Sequence, residues 1–180
     1  MFRTNLMSVI VGLSMAVSPP QDNMIQKELD RLQVPPNLVP KDKHPLFMFR
    51  AEGVQTYTGE EKEGKLQWNP ASIPDAKLLD YRTGEQVGTH SKGPEGPIWE
   101  DKDGSKLTGK KLASEAAPNA SAIPWLLLEV KSEKAGRLAK VTNVQRVDTW
   151  GGLAPQSAPK SAGETRSVKY EATYVFLGDL

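Results

Sequence analysis

The stretch LDYRTGEQVGTHSKGPEGPIWEDKDGSKLTG, residues 79–109, decides the fold class. It contains two turn signals in tandem. Tyr81-Arg82-Thr83-Gly84 interrupts a strand-like run that resumes at Gln86, and Asp101-Lys102-Asp103-Gly104 interrupts a second run that resumes at Lys106. Glycine adopts the positive φ that a tight turn requires, so a glycine after Asp or Thr between strand-like residues favours a hairpin. We therefore predict two successive β-hairpins here.

Strand signals continue on both sides of this stretch. Residues 53–58 and 65–68 predict an earlier hairpin, residues 123–130 form an apolar run, and residues 168–176 alternate between apolar and polar side chains. The 180 residues include 15 Gly and 14 Pro without a repeat period. This pattern predicts an all-β domain, an antiparallel sandwich or barrel of about eight to ten strands, with at most one short N-terminal helix. Composition alone does not choose between sandwich and barrel.

The first residues are typical of a signal peptide. Arg3 precedes an apolar run from Leu6 to Val17, which is too short to span a bilayer. We expect cleavage after Ala16, giving a signal peptide at 1–16, a lead-in with a proline-rich arm at 17–46, and one β domain at 47–180. An amphipathic or buried N-terminal helix is the alternative. The prediction is an exported protein, periplasmic or extracellular, without an integral membrane segment after removal of the signal.

Charge and cysteine content exclude several classes of protein. The formal net charge is +1 and basic residues are scattered, which argues against nucleic-acid binding. There is no cysteine, so disulfides, thiolate metal sites and cysteine nucleophiles are excluded. No serine-nucleophile elbow or phosphate-binding loop is present, and the sequence predicts no cofactor.

A collinear set of short motifs resembles a known family. It comprises Gly53-Val54-Gln55-x-Tyr57, Val87-Gly88-Thr89-His90, Gly93-Pro94, Trp99-Glu100, Asp103-Gly104-Ser105, Ile123-Pro124-Trp125-Leu126-Leu127, Val144-Gln145-Arg146, Gly151-Gly152 and Tyr170-x-Ala172-x-Tyr174-x-Phe176. Because these motifs occur in this order, the chain resembles the domain of unknown function 3455 family, a family of exported proteins. The resemblance covers residues 35–176. It implies export, but it brings no activity, substrate or catalytic residue.

His90 is the principal candidate for a site. It lies close in sequence to the carboxylates Glu100, Asp101 and Asp103. An imidazole beside carboxylates can bind a divalent metal or transfer protons. The alternative is a structural histidine bonded to backbone. Asp101-x-Asp103-Gly104 begins like a calcium loop, but Leu112 stands where that loop needs Glu, so we expect a plain hairpin turn.

The tryptophans offer a second kind of site. Trp99 adjoins a Gly/Pro-rich segment and Trp150 precedes Gly151-Gly152, so we expect both to be partly exposed and available to a ligand. Burial in the core is the alternative for both side chains.

These observations favour a non-enzymatic binding or envelope-associated module, with a groove lined by the loop from His90 to Trp99 and by Trp150. The ligand-binding candidates are His90, Trp99, Glu100 and Trp150, and the ligand or protein partner is unknown. No catalytic residue is assigned. The first alternative is a metal-assisted hydrolase or lyase centred on His90, with Asp101 and Asp103 as weak metal candidates. The second alternative is a structural protein that pairs with a partner through a sheet edge.

Overall fold

The computed structural model describes residues 21–179. The predicted signal peptide at 1–16 therefore lies outside the described residues. Within the described range, no helix has both the length and the apolar character needed to cross a membrane.

One helix, two short 3₁₀ turns and nine strands make up this range. The helix is α1 (Gln21–Leu32), and the 3₁₀ turns are Pro36–Leu38 and Arg137–Lys140. The strands are β1 (Lys43–Lys62), β2 (Lys65–Trp68), β3 (Ile73–Asp80), β4 (Gln86–Gly93), β5 (Gly96–Asp101), β6 (Lys106–Glu115), β7 (Trp125–Ser132), β8 (Val141–Gly151) and β9 (Thr165–Asp179).

Eight of these strands close into an antiparallel barrel. Each strand from β3 to β8 pairs with the next one along the chain, and β1 closes the barrel by pairing with both β3 and β9. The β1–β9 seam is long, running from the pair Lys43–Asp179 to the pair Thr58–Thr165. The short β2 folds back on the end of β1 as a hairpin. The all-β prediction is confirmed, and the open choice between sandwich and barrel is decided for the barrel.

The predicted turns form as expected, with two differences in the flanking strands. Gly84 and Gly104 both take positive φ in the β3–β4 and β5–β6 connections. The segment from His90 to Trp99, expected as a loop, is instead a third hairpin with its turn at Pro94 and Glu95. The first strand begins at Lys43, so part of the expected proline-rich arm already pairs in the sheet.

One end of the barrel is closed by the 3₁₀ turn between β7 and β8. This turn places Leu138 in the core, where it is 1% exposed. It also lays the Arg137 guanidinium over the rings of Phe47 and Phe49, at 5.0 and 4.7 Å from their centroids. These rings stack on one another at 5.1 Å. We call this the closed end; the opposite end contains the β4–β5, β6–β7 and β8–β9 connections and is called the open end.

The prediction of at most one short N-terminal helix is confirmed, and that helix packs on the outside of the barrel. Ile25 is fully buried against outward-facing side chains of the wall, among them Met48, Val175 and Leu177. Burial of this apolar face stabilises a helix that is too short to be stable alone. The Tyr81 hydroxyl donates a hydrogen bond of 3.0 Å to Glu28 and ties α1 to the β3–β4 turn.

Closure leaves little free sheet edge in the described residues. Strands β3 to β9 each have a partner on both sides, and only the four-residue β2 has one. Short edges of this kind are a common protection against pairing with other chains. The barrel therefore offers little support for the sheet-edge alternative.

Candidate functional site

A cavity of about 190 Å³ lies inside the barrel at its open end. Its walls are formed by inward-facing residues of β1 and of β3 to β9. An engineered cavity of about 150 Å³ holds benzene, so this volume suits a single ring with a substituent. The residues discussed below are arranged around this cavity.

His90 lies in the cavity wall and is 3% exposed. Its Nδ1 lies 2.8 Å from the carbonyl oxygen of Ile98. Because a carbonyl only accepts, Nδ1 carries the proton, and Nε2 of the neutral ring is an acceptor. Burial lowers the pKa of His90 to about 3, against a partial rise from the bond to Ile98. His90 is therefore a neutral ring at physiological pH.

Three aromatic rings form the floor of the cavity. His90 and Trp99 are paired residues of β4 and β5, and their rings stack at 4.7 Å with an angle of 19°. Tyr174 of β9 packs against both, at 5.0 Å from His90 and 5.6 Å from Trp99. Gly109 on β6 makes room for the indole, since a Cβ there would lie 2.8 Å from Trp99 Cζ3. Trp99 is thus 1% exposed, contrary to the expectation of partial exposure.

Three buried polar atoms of the cavity wall have no hydrogen-bond partner among residues 21–179. They are Gln55 Nε2, Trp99 Nε1 and the Tyr174 hydroxyl. All three can donate. Burial raises the pKa of Tyr174, and the nearby Arg146 and Tyr170 side chains oppose the rise. Buried donors without partners cost free energy, and Trp125 Nε1 and the Tyr170 hydroxyl are two further such donors on residues that do not line this cavity.

Three cationic side chains line the cavity nearer the open end. Lys92, Lys111 and Arg146 belong to the alternate strands β4, β6 and β8. None of the described residues that line this cavity carries a carboxylate. The lining of this cavity is therefore cationic in a chain whose formal net charge is only +1.

Glu100 and Trp150 do not reach this cavity. Glu100 follows Trp99 on β5, so it points to the opposite face of the sheet and is exposed. Trp150 is 61% exposed and lines a shallow surface depression with Lys169 and Glu171. The expected exposure of Trp150 is thus present, but of the four ligand-binding candidates the structure brings together only His90 and Trp99.

Asp101 and Asp103 lie toward the closed end and have structural partners there. Asp103 accepts hydrogen bonds from Ser105, and its second oxygen accepts the Arg137 amide at 2.7 Å. These hydrogen bonds hold the pKa of Asp103 below its usual value, and the bond from the Ser105 hydroxyl has the largest effect. Asp101 Oδ2 lies 3.7 Å from the Arg137 guanidinium. In residues 21–179 no three potential His, Asp or Glu ligands cluster as a metal site.

Sequence reasoning missed Gln55, Lys92, Lys111, Arg146 and Tyr174. The alternation at 168–176 placed Tyr174 on one face of a strand with Tyr170 and Phe176, but it did not identify that face as the barrel interior. Lys111 lies next to a bulge at which the β6–β7 register shifts. The shift follows Lys111, which therefore keeps the alternation of the inward Leu107 and Gly109; no local signal shows which face of β6 is the inward one.

Two tyrosines of the barrel are expected to respond oppositely to loss of the hydroxyl. Tyr57 donates a 2.6 Å hydrogen bond to the carbonyl of Gly152, whereas the Tyr174 hydroxyl has no partner in the described chain. Tyr57→Phe should lower the free energy of unfolding by about 1 kcal/mol, and Tyr174→Phe should leave it unchanged or raise it by up to about 1 kcal/mol. Urea unfolding followed by circular dichroism measures both. An equal loss in the two variants would contradict the assignment of Tyr174 as a free donor.

The barrel matches a protein-family model. A family model described as "Protein of unknown function (DUF3455)" matches residues 40–178. The match covers the barrel from just before β1 to the penultimate residue of β9, and α1 lies outside it. Neither the curated proteins nor the solved structures contain a match to the chain.

Proposed function

The chain belongs to the DUF3455 family, whose description assigns no activity, and we propose from the geometry of the barrel that it is a non-enzymatic module that binds a small molecule in the cavity at the open end. The observation that carries this proposal is that three residues lining one cavity, Gln55, Trp99 and Tyr174, each hold a buried donor without a partner in the described chain. A ligand that accepts their hydrogen bonds would remove the cost of leaving them unsatisfied.

The metal-assisted hydrolase is less well supported by the same residues. Its carboxylates Asp101 and Asp103 hydrogen-bond or ion-pair with Arg137 and Ser105 near the closed end, and Glu100 faces outward. His90 lies among aromatic rings, and its burial is the main reason that its pKa is lowered to about 3. A general base works best with a pKa near the operating pH, so this ring is better suited to positioning a ligand than to transferring protons.

The test uses six small aromatic compounds with different polar groups: phenol, benzyl alcohol, indole, benzamide, benzoate and benzamidine. The reporter is the NMR signal of the Trp99 indole N–H, identified by its absence from the spectrum of Trp99→Phe. Ligands of this size bind with dissociation constants of about 0.1–10 mM, so titration to about 20 mM is sufficient.

Two matched variants make the result specific to the cavity. Leu126 is half-buried in the cavity wall, and Leu126→Trp should fill the space; Leu112 is 54% exposed, and Leu112→Trp is the control. We expect at least one compound to shift the Trp99 signal saturably in the wild-type protein and in Leu112→Trp, but not in Leu126→Trp. No shift from any compound, or a shift that Leu126→Trp retains, would overturn the proposal.

The proposal places this binding protein in the periplasm or the extracellular space. Support comes from the basic and apolar character of residues 1–16. Fractionation of cells producing the full chain, followed by mass spectrometry of the protein's N-terminus, should find a chain that begins at Val17 outside the cytoplasm. An uncleaved chain confined to the cytoplasm would contradict export.

A further inference from the structure

We propose that the ligand of the open-end cavity is an organic anion with one planar ring, its carboxylate bound by Lys92, Lys111 and Arg146 and its ring held among apolar and aromatic side chains. This inference rests on the proposed binding function and adds the chemical class of the ligand.

The first argument is that the three cations lining the cavity are not paired with carboxylates. None of Lys92, Lys111 and Arg146 forms a salt bridge with another of the described residues. Lys106, by contrast, pairs with Glu133 at 3.3 Å. Three cations at one end of a cavity repel each other, and a bound anion relieves this repulsion. A cavity with low-dielectric walls also strengthens their attraction for an anion.

The second argument is that Arg146 is held in place without being neutralised. Its Nε and Nη2 donate hydrogen bonds of 3.1 and 2.8 Å to the carbonyl oxygen of Pro124. A guanidinium has five N–H donors, so donors remain after these two contacts. The carbonyl is uncharged and leaves the positive charge of Arg146 intact. A fixed guanidinium loses less side-chain entropy when it binds a carboxylate.

The third argument concerns the floor of the cavity. Its free donors on Gln55, Trp99 and Tyr174 favour a ligand with an acceptor, and Leu126 and Leu128 supply an apolar wall for a ring. His90 is neutral and accepts at Nε2, which suits a hydroxyl on the ligand. A cationic ligand would find no acid among the described lining residues.

The experiment compares three probes of nearly equal shape. Benzoate carries one negative charge, benzamide is neutral and benzamidine carries one positive charge. Each is titrated into the full chain at constant ionic strength, with the Trp99 indole N–H as the reporter. We expect benzoate to bind about three- to tenfold more tightly than benzamide and benzamidine to bind most weakly.

Neighbouring lysines on β6 provide a matched control. Lys111 lines the cavity and Lys110 is on the opposite face of β6, and both side chains are exposed. Lys111→Met and Lys92→Met should each weaken benzoate binding about three- to tenfold and change benzamide binding less than about twofold. Lys110→Met should change neither. Raising the salt concentration should weaken benzoate binding alone.

The possible results separate the two proposals. If benzamide or benzamidine binds as tightly as benzoate, or if the methionine variants of all three cations (Lys92, Lys111 and Arg146) leave benzoate affinity unchanged, the anionic class is wrong while small-molecule binding stands. If no compound of the panel shifts the Trp99 signal, the binding function itself fails. A variant that unfolds is replaced by the glutamine substitution at the same position.

Discussion

Lowering the pH from about 7.5 to about 4.5 is expected to reduce the free energy of unfolding by about 2–3 kcal/mol through His90 alone. The ring is 3% exposed, and burial lowers its pKa to about 3, from the ordinary value of 6.5. Between these two pKa values the unfolded chain takes up a proton that the folded protein does not. Stability therefore falls as the pH falls through this window, by up to about 1.4 kcal/mol for each pH unit.

His90→Asn isolates this contribution. The Asn side-chain amide can replace Nδ1–H as the donor to Ile98, but it does not titrate. Carboxylates whose pKa lies below the ordinary value, such as Asp103, also contribute less to stability at lower pH. They do so equally in the wild-type protein and in His90→Asn. Urea unfolding at steps of pH should give a shallower slope for His90→Asn between about pH 6.5 and 4.5. Equal slopes would show that His90 becomes protonated within the folded protein.

Trp99→Ala is expected to have the largest effect of any substitution considered, a loss of about 3–5 kcal/mol in the free energy of unfolding. The indole is 1% exposed and packs edge-on against Phe176 as well as against Tyr174. Removing it leaves a void beside Gly109, which has no side chain to fill the space. The surrounding strands are hydrogen-bonded on both sides and cannot collapse into the void.

Trp150→Ala is the control for this loss. Trp150 is 61% exposed on the outer wall, so its removal should change stability by less than about 0.5 kcal/mol. Urea unfolding at neutral pH, followed by circular dichroism, measures both variants. A loss of less than about 1 kcal/mol in Trp99→Ala would contradict the burial described here.

Features that depend on a few neighbouring residues could be predicted from the sequence. The β5–β6 turn forms as expected, because Asp101 and Asp103 accept backbone amides two residues ahead and Gly104 takes a φ of 82°. Alternation at 168–176 placed Tyr170, Tyr174 and Phe176 on one face, and that face is the interior of the barrel. The helix near the N-terminus agrees with the prediction of at most one short N-terminal helix.

Features that depend on distant residues could not be predicted. The choice of a barrel over a sandwich rests on the β1–β9 seam, whose partners lie more than 100 residues apart. The same closure brings Tyr174 beside His90 and Trp99, and it carries Lys92, Lys111 and Arg146 to the same end. Asp101 and Asp103 were considered with His90 because they are close in sequence. Both aspartates are near the closed end, because β5 runs from the cavity toward the β5–β6 turn at that end.

The β1–β9 seam also determines when the protein can fold. Thr56 and Ser167, whose side-chain oxygens lie 2.8 Å apart across the seam, are separated by 111 residues. During synthesis β1 leaves the ribosome early and has no partner for this edge until β9 follows. Pairing over such distances is slow, because the loop entropy is lost before the contacts form. If the chain is exported as proposed, this delay keeps it unfolded while a translocation channel for unfolded chains can still accept it.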